Sequence, residues 1–578
     1  MTAMKIDLAR HSGFCMGVRD AVMRIVTELN DTDEEIFVYG PLIHNPQTVN
    51  ILERRGLKTI KTLDDIDDRV IAIRTHGIPL EKLRDIKARS RRYINLTCPR
   101  VSKVQGLIKK YSGRGHYTII VGDADHAEVM GLKSYASAGV TVVSSVEDIE
   151  KIPRARRYIV VSQTTQDKEH FSRMVDSLKT RFSELLVFNT ICDSTHHRQD
   201  DIRLGISRNI DALVVVGGKQ SANTARLARM GRECGVKTIH IESEDELSID
   251  DFAGIENVLV TAGASTPGWI INNVMEKLYS IKNTRMGRLT TCWLGLVEYA
   301  LRLNVLSAVA AFFINLFVQR YAGAVLDLKS AAVSAAYIFA MYTINNNLEM
   351  KSLLNRNPLK YSLQYTFRKL LVPLSVILLL LSLWLMLDYK TVIFALHCVA
   401  VLLGCVYSTE AVKKSILALN LSPLTRLYYL KNLVSSMGWV LATTVIPLMV
   451  HGAEWYAYVS LGFMVFTMIF IRDLFMDVIA LQGDLLFGRQ TLPTMMGPRK
   501  TRTLAVIMAA LALAAYASIT IWRGEYIFLA FVLNVLFFGL VYYDINSRHY
   551  TIALRHEMLL DLNFLIFIGM FFAVSAAG

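Results

Sequence analysis

Three cysteines carry the first chemical signal. Cys15 lies in GFCMGV, Cys98 in TCPRV and Cys192 in TICDST, separated by 83 and 94 residues. Each follows a strand-like run and precedes a helical pattern. Each thiol is therefore expected at a strand end beside the first amides of a helix, a position that lowers a thiol pKa and suits a thiolate ligand. None has the local partner that a zinc site uses. Taken alone, scattered cysteines are usually core residues. Cys234, at the end of a helical pattern, is read as structural.

The elements that must position these thiols alternate along the front half. Strand candidates are 36–39, 70–74, 117–121, 140–143, 158–162, 185–188, 212–217, 238–241 and 257–261, with helical patterns at 18–29, 100–111, 170–182 and 222–234. Alternation of this kind predicts parallel sheets covered by helices. Three blocks are discernible, near 1–95, 96–190 and 191–283, each with one cysteine near its start. The fold expected for residues 1–283 is thus an α/β three-block, trefoil-like domain, followed by a polar linker at 284–295.

From residue 296 the character changes. The chain has 578 residues, 52% of them hydrophobic, and apolar runs such as LLVPLSVILLLLSLWLML are long enough to cross a hydrocarbon core. A purely soluble protein and a small disulfide scaffold are excluded. Nine spanning helices are expected, near 296–317, 331–347, 370–388, 391–407, 432–450, 455–471, 503–522, 526–543 and 559–577, making 296–578 an all-α transmembrane domain. Sixteen basic residues fall in the loops after even-numbered spans and four in those after odd-numbered spans. That bias places the even loops and the N-terminus in the cytosol. The opening MTAMKIDLARHSGF is too charged for a signal segment. The expected location is a bacterial inner membrane, multi-pass, with the front half cytosolic. The net charge of +13 fits anionic lipid and cytoplasmic retention, and no nucleic-acid module is discernible.

The cysteines also sit among a series of motifs. After GFCMGV come IHN at His44–Asn45, THG at Thr75–Gly77 and TCPRVSKV at Thr97–Val104. GDADHAEV at Gly122–Val129, SQTTQ at Ser162–Gln166, CDSTHHRQ at Cys192–Gln199, SANTARL at Ser221–Leu227 and TAGASTP at Thr261–Pro267 follow. In type and order they resemble the 4-hydroxy-3-methylbut-2-enyl diphosphate (HMBPP) reductase family along residues 4–282. The resemblance implies a 4Fe–4S cluster on Cys15, Cys98 and Cys192, with one iron left open for the substrate's allylic hydroxyl. It implies reductive removal of that hydroxyl to give isopentenyl and dimethylallyl diphosphates, in the methylerythritol phosphate route to isoprenoids. His44, His76 and His126, with Ser221, Asn223 and Ser265, would bind the diphosphate. Glu128 would be the proton-relay acid and Thr164 its hydroxyl partner. A low-potential ferredoxin or flavodoxin is the implied electron donor. Four positions depart from the pattern: Ala222 replaces a serine, Asp123 stands where a histidine is common, and His196–His197 replace Thr-Asn.

The membrane half resembles the UbiA superfamily of prenyltransferases, through YTINNNLE at Tyr342–Glu349, VYSTEAVKK at Val406–Lys414, LKNLVSSMGW at Leu430–Trp439 and RDLFMDVIALQGDLLFGRQTLPTMMG at Arg472–Gly497. That resemblance implies Mg²⁺ held by Asn345, Glu349, Asp473, Asp477 and Asp484, a polyprenyl diphosphate donor and an acceptor the sequence does not specify. Asp473, Asp477 and Asp484 share one face of a helix wheel. Leu353 and Ala480 occupy places where the family's motifs carry acids, so both clusters are thinned. The sequence thus describes a membrane-bound reductase with a second, prenyltransferase-like domain. Its rivals are a reductase whose second half only anchors it or binds prenyl lipid, and a redox transporter with an iron–sulfur regulator.

Overall fold

Short β-branched runs become strands wherever helices bury both of their faces. In the computed structural model this yields β1 (Lys5–Leu8), β2 (Ile36–Tyr39), β3 (Leu57–Ile60), β4 (Val70–Ile73), β5 (Arg92–Asn95), β6 (Tyr117–Val121), β7 (Val140–Val143), β8 (Tyr158–Ser162), β9 (Leu185–Val187), β10 (Ala212–Val216), β11 (Lys237–Ile241) and β12 (Asn257–Ala262). The structure describes residues 4–32, 34–64, 66–284, 295–297, 299–348, 350, 358–407, 431–486, 491–523, 529–547, 553–564, 568–569 and 572–573. It divides into two compact units, Met1–Arg285 and Met286–Gly578.

The first unit has three four-stranded sheets, ordered β3-β2-β4-β5, β7-β6-β8-β9 and β11-β10-β12-β1. All pairings are parallel. Central strands such as β4, β8 and β10 are buried at every residue, as expected of parallel strands covered on both faces. The covering helices are α1 (Met16–Asp31), α2 (Pro46–Glu53), α3 (Leu80–Arg89), α4 (Pro99–Ser112), α5 (Ala127–Lys133), α6 (Lys168–Arg181), α7 (Asp193–Ser207), α8 (Ala222–Glu233) and α9 (Gly268–Thr284). On α1 the residues Ala21, Val22, Ile25, Val26 and Leu29 form one buried stripe. Each fully buried aliphatic side chain of this kind is worth roughly 1.5–3 kcal/mol.

The three expected blocks need one correction. β1 does not start the first block; it pairs with β12, Lys5 opposite Asn257 through Leu8 opposite Val260, and completes the third sheet. The three sheets then share one strand order, and the edge strands β5, β9 and β1 occupy equivalent places. The chain leaves each of those edges toward one of the three cysteines.

In the second unit, eight of the nine expected spans coincide with helices: Val305–Tyr321, Leu328–Leu348, Arg368–Met386, Thr391–Tyr407, Lys431–His451, Trp455–Leu486, Pro498–Arg523 and Leu529–Ser547. The ninth, 559–577, lies mostly outside the described residues. Among the described residues, three helices are long and apolar enough to cross a bilayer, within Arg368–Met386, Asn432–His451 and Pro498–Ile519. Two boundaries differ from expectation. The first span is broken at Asn304, which takes a left-handed conformation (φ 64°), so that Val305–Tyr321 is bent by 75° from the preceding helix Gly295–Arg302. The 455–471 span continues unbroken to Leu486 and carries the acidic motif with it. Within 431–451 a π-turn occupies Leu441–Val445, just before Pro447, which has no N–H to offer the preceding turn. The Ala442 carbonyl there accepts from the Ser334 hydroxyl (2.6 Å).

Candidate active site

The three cysteines are the N-cap residues of α1, α4 and α7. Each backbone N–H donates to a carbonyl just past the neighbouring strand of the same sheet: Cys15 to Ala264 after β12 (3.0 Å), Cys98 to Thr75 after β4 (2.9 Å) and Cys192 to Thr164 after β8 (2.8 Å). The three thiols lie within electrostatic reach of one another, Cys98 of both Cys15 and Cys192, and Cys192 of Cys15. The Val18 amide donates to the Cys15 sulfur at 3.5 Å. All three thiols are free and partly buried, whereas Cys234 is exposed at the end of α8.

The expectation of low thiol pKa values meets a correction. Burial pushes the Cys98 and Cys192 thiols up, and Cys15 pushes both further. Amides of Arg100 and Val101, and of Ser194 and Thr195, pull the other way without prevailing. Helix-end amides do face these sulfurs, but desolvation outweighs them. Sulfurs that repel one another when anionic need shared positive charge between them. Among the described residues no His, Cys, Asp or Glu group is arranged for a single metal ion. A Cβ on Gly17 would come within 2.5 Å of the Cys98 sulfur. That cradle stays open only because residue 17 is glycine, so the residues present fit a 4Fe–4S group.

The other sequence-predicted residues lie in the same unit. The rings of His44, His76 and His126 come together from three loops, with centroids 4.7, 5.8 and 6.3 Å apart. Burial, and the cation of Arg74, depress all three, His126 to about 4 and His76 well below its usual value. They are neutral at pH 7. His126 Nδ1 accepts from the Glu128 amide (3.2 Å), so in the neutral ring the proton sits on Nε2. Ser221 caps α8, its hydroxyl accepting from the Thr224 amide (3.5 Å). The Ser265 hydroxyl donates to the His44 carbonyl (2.9 Å), joining the third sheet's loop to the first. Asn223 is buried, and neither of its amide atoms has a hydrogen-bond partner among the described residues. A buried orphan amide is costly, and an anionic or hydroxylic ligand would satisfy it.

Glu128 is 1% exposed. Its two carboxylate oxygens accept from the Thr164 amide (2.7 Å) and the Thr164 hydroxyl (2.8 Å). Burial pushes the carboxyl up to about 7, against the lowering effect of those two bonds. It can therefore hold a proton near neutrality and release one, as a general acid must.

Three arginines here were not singled out by sequence reasoning. Arg74, one residue before the THG motif, donates to the Gly77 carbonyl (3.2 Å) and faces the histidines. Arg226 pairs with Asp123 (3.4 Å), bridging the second and third sheets at the position where a histidine is common. Arg198 is buried inside the CDSTHHRQ motif. The two departing histidines are engaged with other side chains: His196 with Asp200 (3.4 Å) and His197 against His11 (4.8 Å between centroids).

In the second unit, three of the expected metal ligands, Asp473, Asp477 and Asp484, lie along the Trp455–Leu486 helix. Asp473 accepts from Arg472 (2.9 Å), whose Nε donates to Asp561 (2.7 Å). Asp477 accepts from the Asn432 amide (2.8 Å). Asp484 is buried, Asn345 is half-buried and Glu349 lies outside the described residues. Arg472 and the Asn432 amide thus each engage one of the carboxylates that the sequence assigned to Mg²⁺.

Three parallel four-stranded sheets, three helix-capping cysteines, a histidine trio and a buried acid together make up the first unit. The LytB protein family matches residues 6–279 and the UbiA prenyltransferase family residues 331–565. A 4-hydroxy-3-methylbut-2-enyl diphosphate reductase of Geobacter sulfurreducens is 41% identical over 284 residues, covering 49% of this chain and 100% of the relative. The reductase of Geotalea uraniireducens is 40% identical over 282 residues, covering 49% and 99%. A solved (E)-4-hydroxy-3-methyl-but-2-enyl diphosphate reductase is similar at 35% identity, covering 48% of this chain and 100% of that one, with a TM-score of 0.38. The chain belongs to the 4-hydroxy-3-methylbut-2-enyl diphosphate reductase family, with a UbiA-family domain following in the same polypeptide.

Proposed function

We propose that the first unit reduces HMBPP to isopentenyl and dimethylallyl diphosphates, two electrons and two protons removing the allylic hydroxyl as water. The observation that carries this reading is the set of three helix-capping cysteines, one of which, Cys192, is bonded to Thr164, which in turn donates to the buried, protonatable Glu128. Cys15, Cys98 and Cys192 would hold the 4Fe–4S cluster, which when bound supplies the electrons and a Lewis-acidic iron free of cysteine. The chain's own residues do the rest. Neutral His44, His76 and His126 donate N–H groups to the diphosphate, His126 from Nε2, with Ser221, Asn223 and Ser265 completing the donor set. Arg74 adds a fixed cation. Glu128 passes its proton to the departing hydroxyl, and Thr164, bonded to both carboxylate oxygens, fixes the direction of that carboxyl. A low-potential ferredoxin or flavodoxin serves as donor.

The test is anaerobic purification with iron and sulfide counting, followed by HMBPP reduction with an artificial donor. Cluster content and product formation are expected together; a loaded protein that leaves HMBPP unchanged would overturn the reading.

The second unit holds the protein in a bacterial inner membrane, multi-pass and with the reductase on the cytosolic side, a reading supported by the basic bias of the even loops. Two roles remain for it: prenyl transfer from a polyprenyl diphosphate, or anchoring. The engagement of Asp473 by Arg472 and of Asp477 by Asn432 favours the anchor or prenyl-lipid binder. Prenyl transfer in detergent with Mg²⁺, abolished by Asp477→Asn and Asp484→Asn, would reverse that preference.

A further inference from the structure

Arg198 lies six residues beyond Cys192 on α7 and is 3% exposed. Its hydrogen bonds reach three separate segments. Nε donates to the Ala262 carbonyl at the end of β12 (3.3 Å). Nη1 donates to the Ser194 carbonyl (2.8 Å) and to the Ser194 hydroxyl, in the first turn after Cys192. Nη2 donates to the Gly13 carbonyl, in the loop that presents Cys15. One planar fork thus ties the Cys15 loop, the Cys192 helix and the strand whose continuation receives the Cys15 amide.

Every acceptor in that list is neutral. A guanidinium taken out of water needs anionic partners, or its burial is strongly unfavourable. The negative groups it faces are the sulfurs of Cys15 and Cys192, together with Asp201. Asp201 already accepts from the His11 amide (2.6 Å) and lies 3.1 Å from the His11 ring nitrogen. The two sulfurs carry full negative charge once they ligate iron. The same cation also sits where added electrons would be felt.

We infer that Arg198 is a positioning residue for the iron–sulfur centre: it fixes the spacing of two of the three sulfur-bearing segments and holds a permanent positive charge beside them, so that it governs both retention of the cluster and its reduction potential. This rests on the cluster proposed above. Glu128 and the histidine trio are outside its reach and keep their separate roles.

The experiment uses the full-length protein in detergent, purified without oxygen, as wild type, Arg198→Lys and Arg198→Met. Iron and acid-labile sulfide per chain, iron release to a chelator, the midpoint potential and far-ultraviolet circular dichroism are measured on each. Loss of a residue that orients metal ligands typically weakens metal binding 10–100-fold, so Arg198→Met is expected to release iron about tenfold faster or more. Its potential should move to more negative values, because the reduced centre loses a nearby cation. Arg198→Lys restores the charge but not the fork. It should keep a potential close to wild type while still releasing iron faster. A folded Arg198→Met protein with wild-type iron release and potential would overturn the inference. Should Arg198→Met fail to fold, wild-type iron release from Arg198→Lys overturns it equally. Wild type without iron and sulfide removes the cluster reading and this inference with it, whereas loaded wild type beside unaffected variants removes only the inference.

Discussion

Glu128 shows how one side chain's surroundings set its task. Its carboxyl is raised to about 7 by burial, so the acid form it must supply is lost as pH climbs past that value. Turnover by the wild type is expected to fall above about pH 7. Glu128→Gln should cost about 100-fold or more, as removal of a general acid does, with cluster content unchanged and the alkaline fall abolished. An unaltered pH profile in Glu128→Gln would remove it from proton delivery. The same burial affects stability, and the signs are opposite for acid and base. Unfolded glutamate ionises near its ordinary 4.5 while folded Glu128 stays protonated to about 7, so its contribution declines as pH rises across that window. Unfolded histidine binds a proton below about 6.5 while folded His126 resists to about 4, so its contribution declines as pH falls across that one. For the sulfurs, Cys15→Ser, Cys98→Ser and Cys192→Ser should each lose cluster iron, and Cys234→Ser should not. Equal loss from Cys234→Ser would show the ligand assignment to be wrong.

Helix starts and strand ends do most of the positioning. Each cysteine caps a helix and each is tied through its amide to the loop that follows the neighbouring strand of its own sheet. Gly17 belongs to this arrangement, since a methyl group there would press on the Cys98 sulfur. Gly17→Ala should leave circular dichroism unchanged yet lower iron and sulfide per chain, and wild-type loading would show that the cradle tolerates a side chain. In the second unit, the 455–486 helix is joined to the 553–561 helix by the buried Arg472–Asp561 pair. Removing one partner of such a pair costs roughly 3–5 kcal/mol. Asp561→Asn is therefore expected to lower the thermal transition of the detergent-solubilised protein, measured by scanning fluorimetry. No shift would mean that water reaches the site.

At the scale of the whole chain, two folded units lie in one polypeptide, and the candidate residues of the first, from Cys15 to Ser265, all fall within Met1–Arg285. A chain ending at Arg285 is expected to stay in the soluble fraction and to keep HMBPP turnover, followed by product analysis after anaerobic reconstitution. Turnover lost on truncation would show that the second unit takes part in the reaction. The topology of the first unit also bears on its robustness. Because β1 completes the third sheet beside β12, chain start and chain end of that unit are stitched together, and deletion of the first strand should unravel the loop that carries Cys15.

Much of this was legible in the residues. The alternation of β-branched runs and helical patterns, the membrane-length apolar runs, and the motifs around Cys15, Cys98, Cys192, His44, His76, His126 and Glu128 are local features, and local features survive in a one-dimensional record. Strands β1, β3 and β5 were not read, because KIDL, LKTI and RYIN are short, half-polar edge segments whose stability comes from a neighbouring ladder. Arg198 sat inside a motif yet carried no visible role, since its partners Gly13 and Ala262 are 185 and 64 residues away. The acids of the second unit taught the converse. Their shared helical face was readable from spacing, but only packing decided that Arg472 would pair with Asp561 and Asn432 with Asp477. Sequence fixes which groups exist and how often they recur, while charge pairing and desolvation act between segments that meet only when the chain is folded.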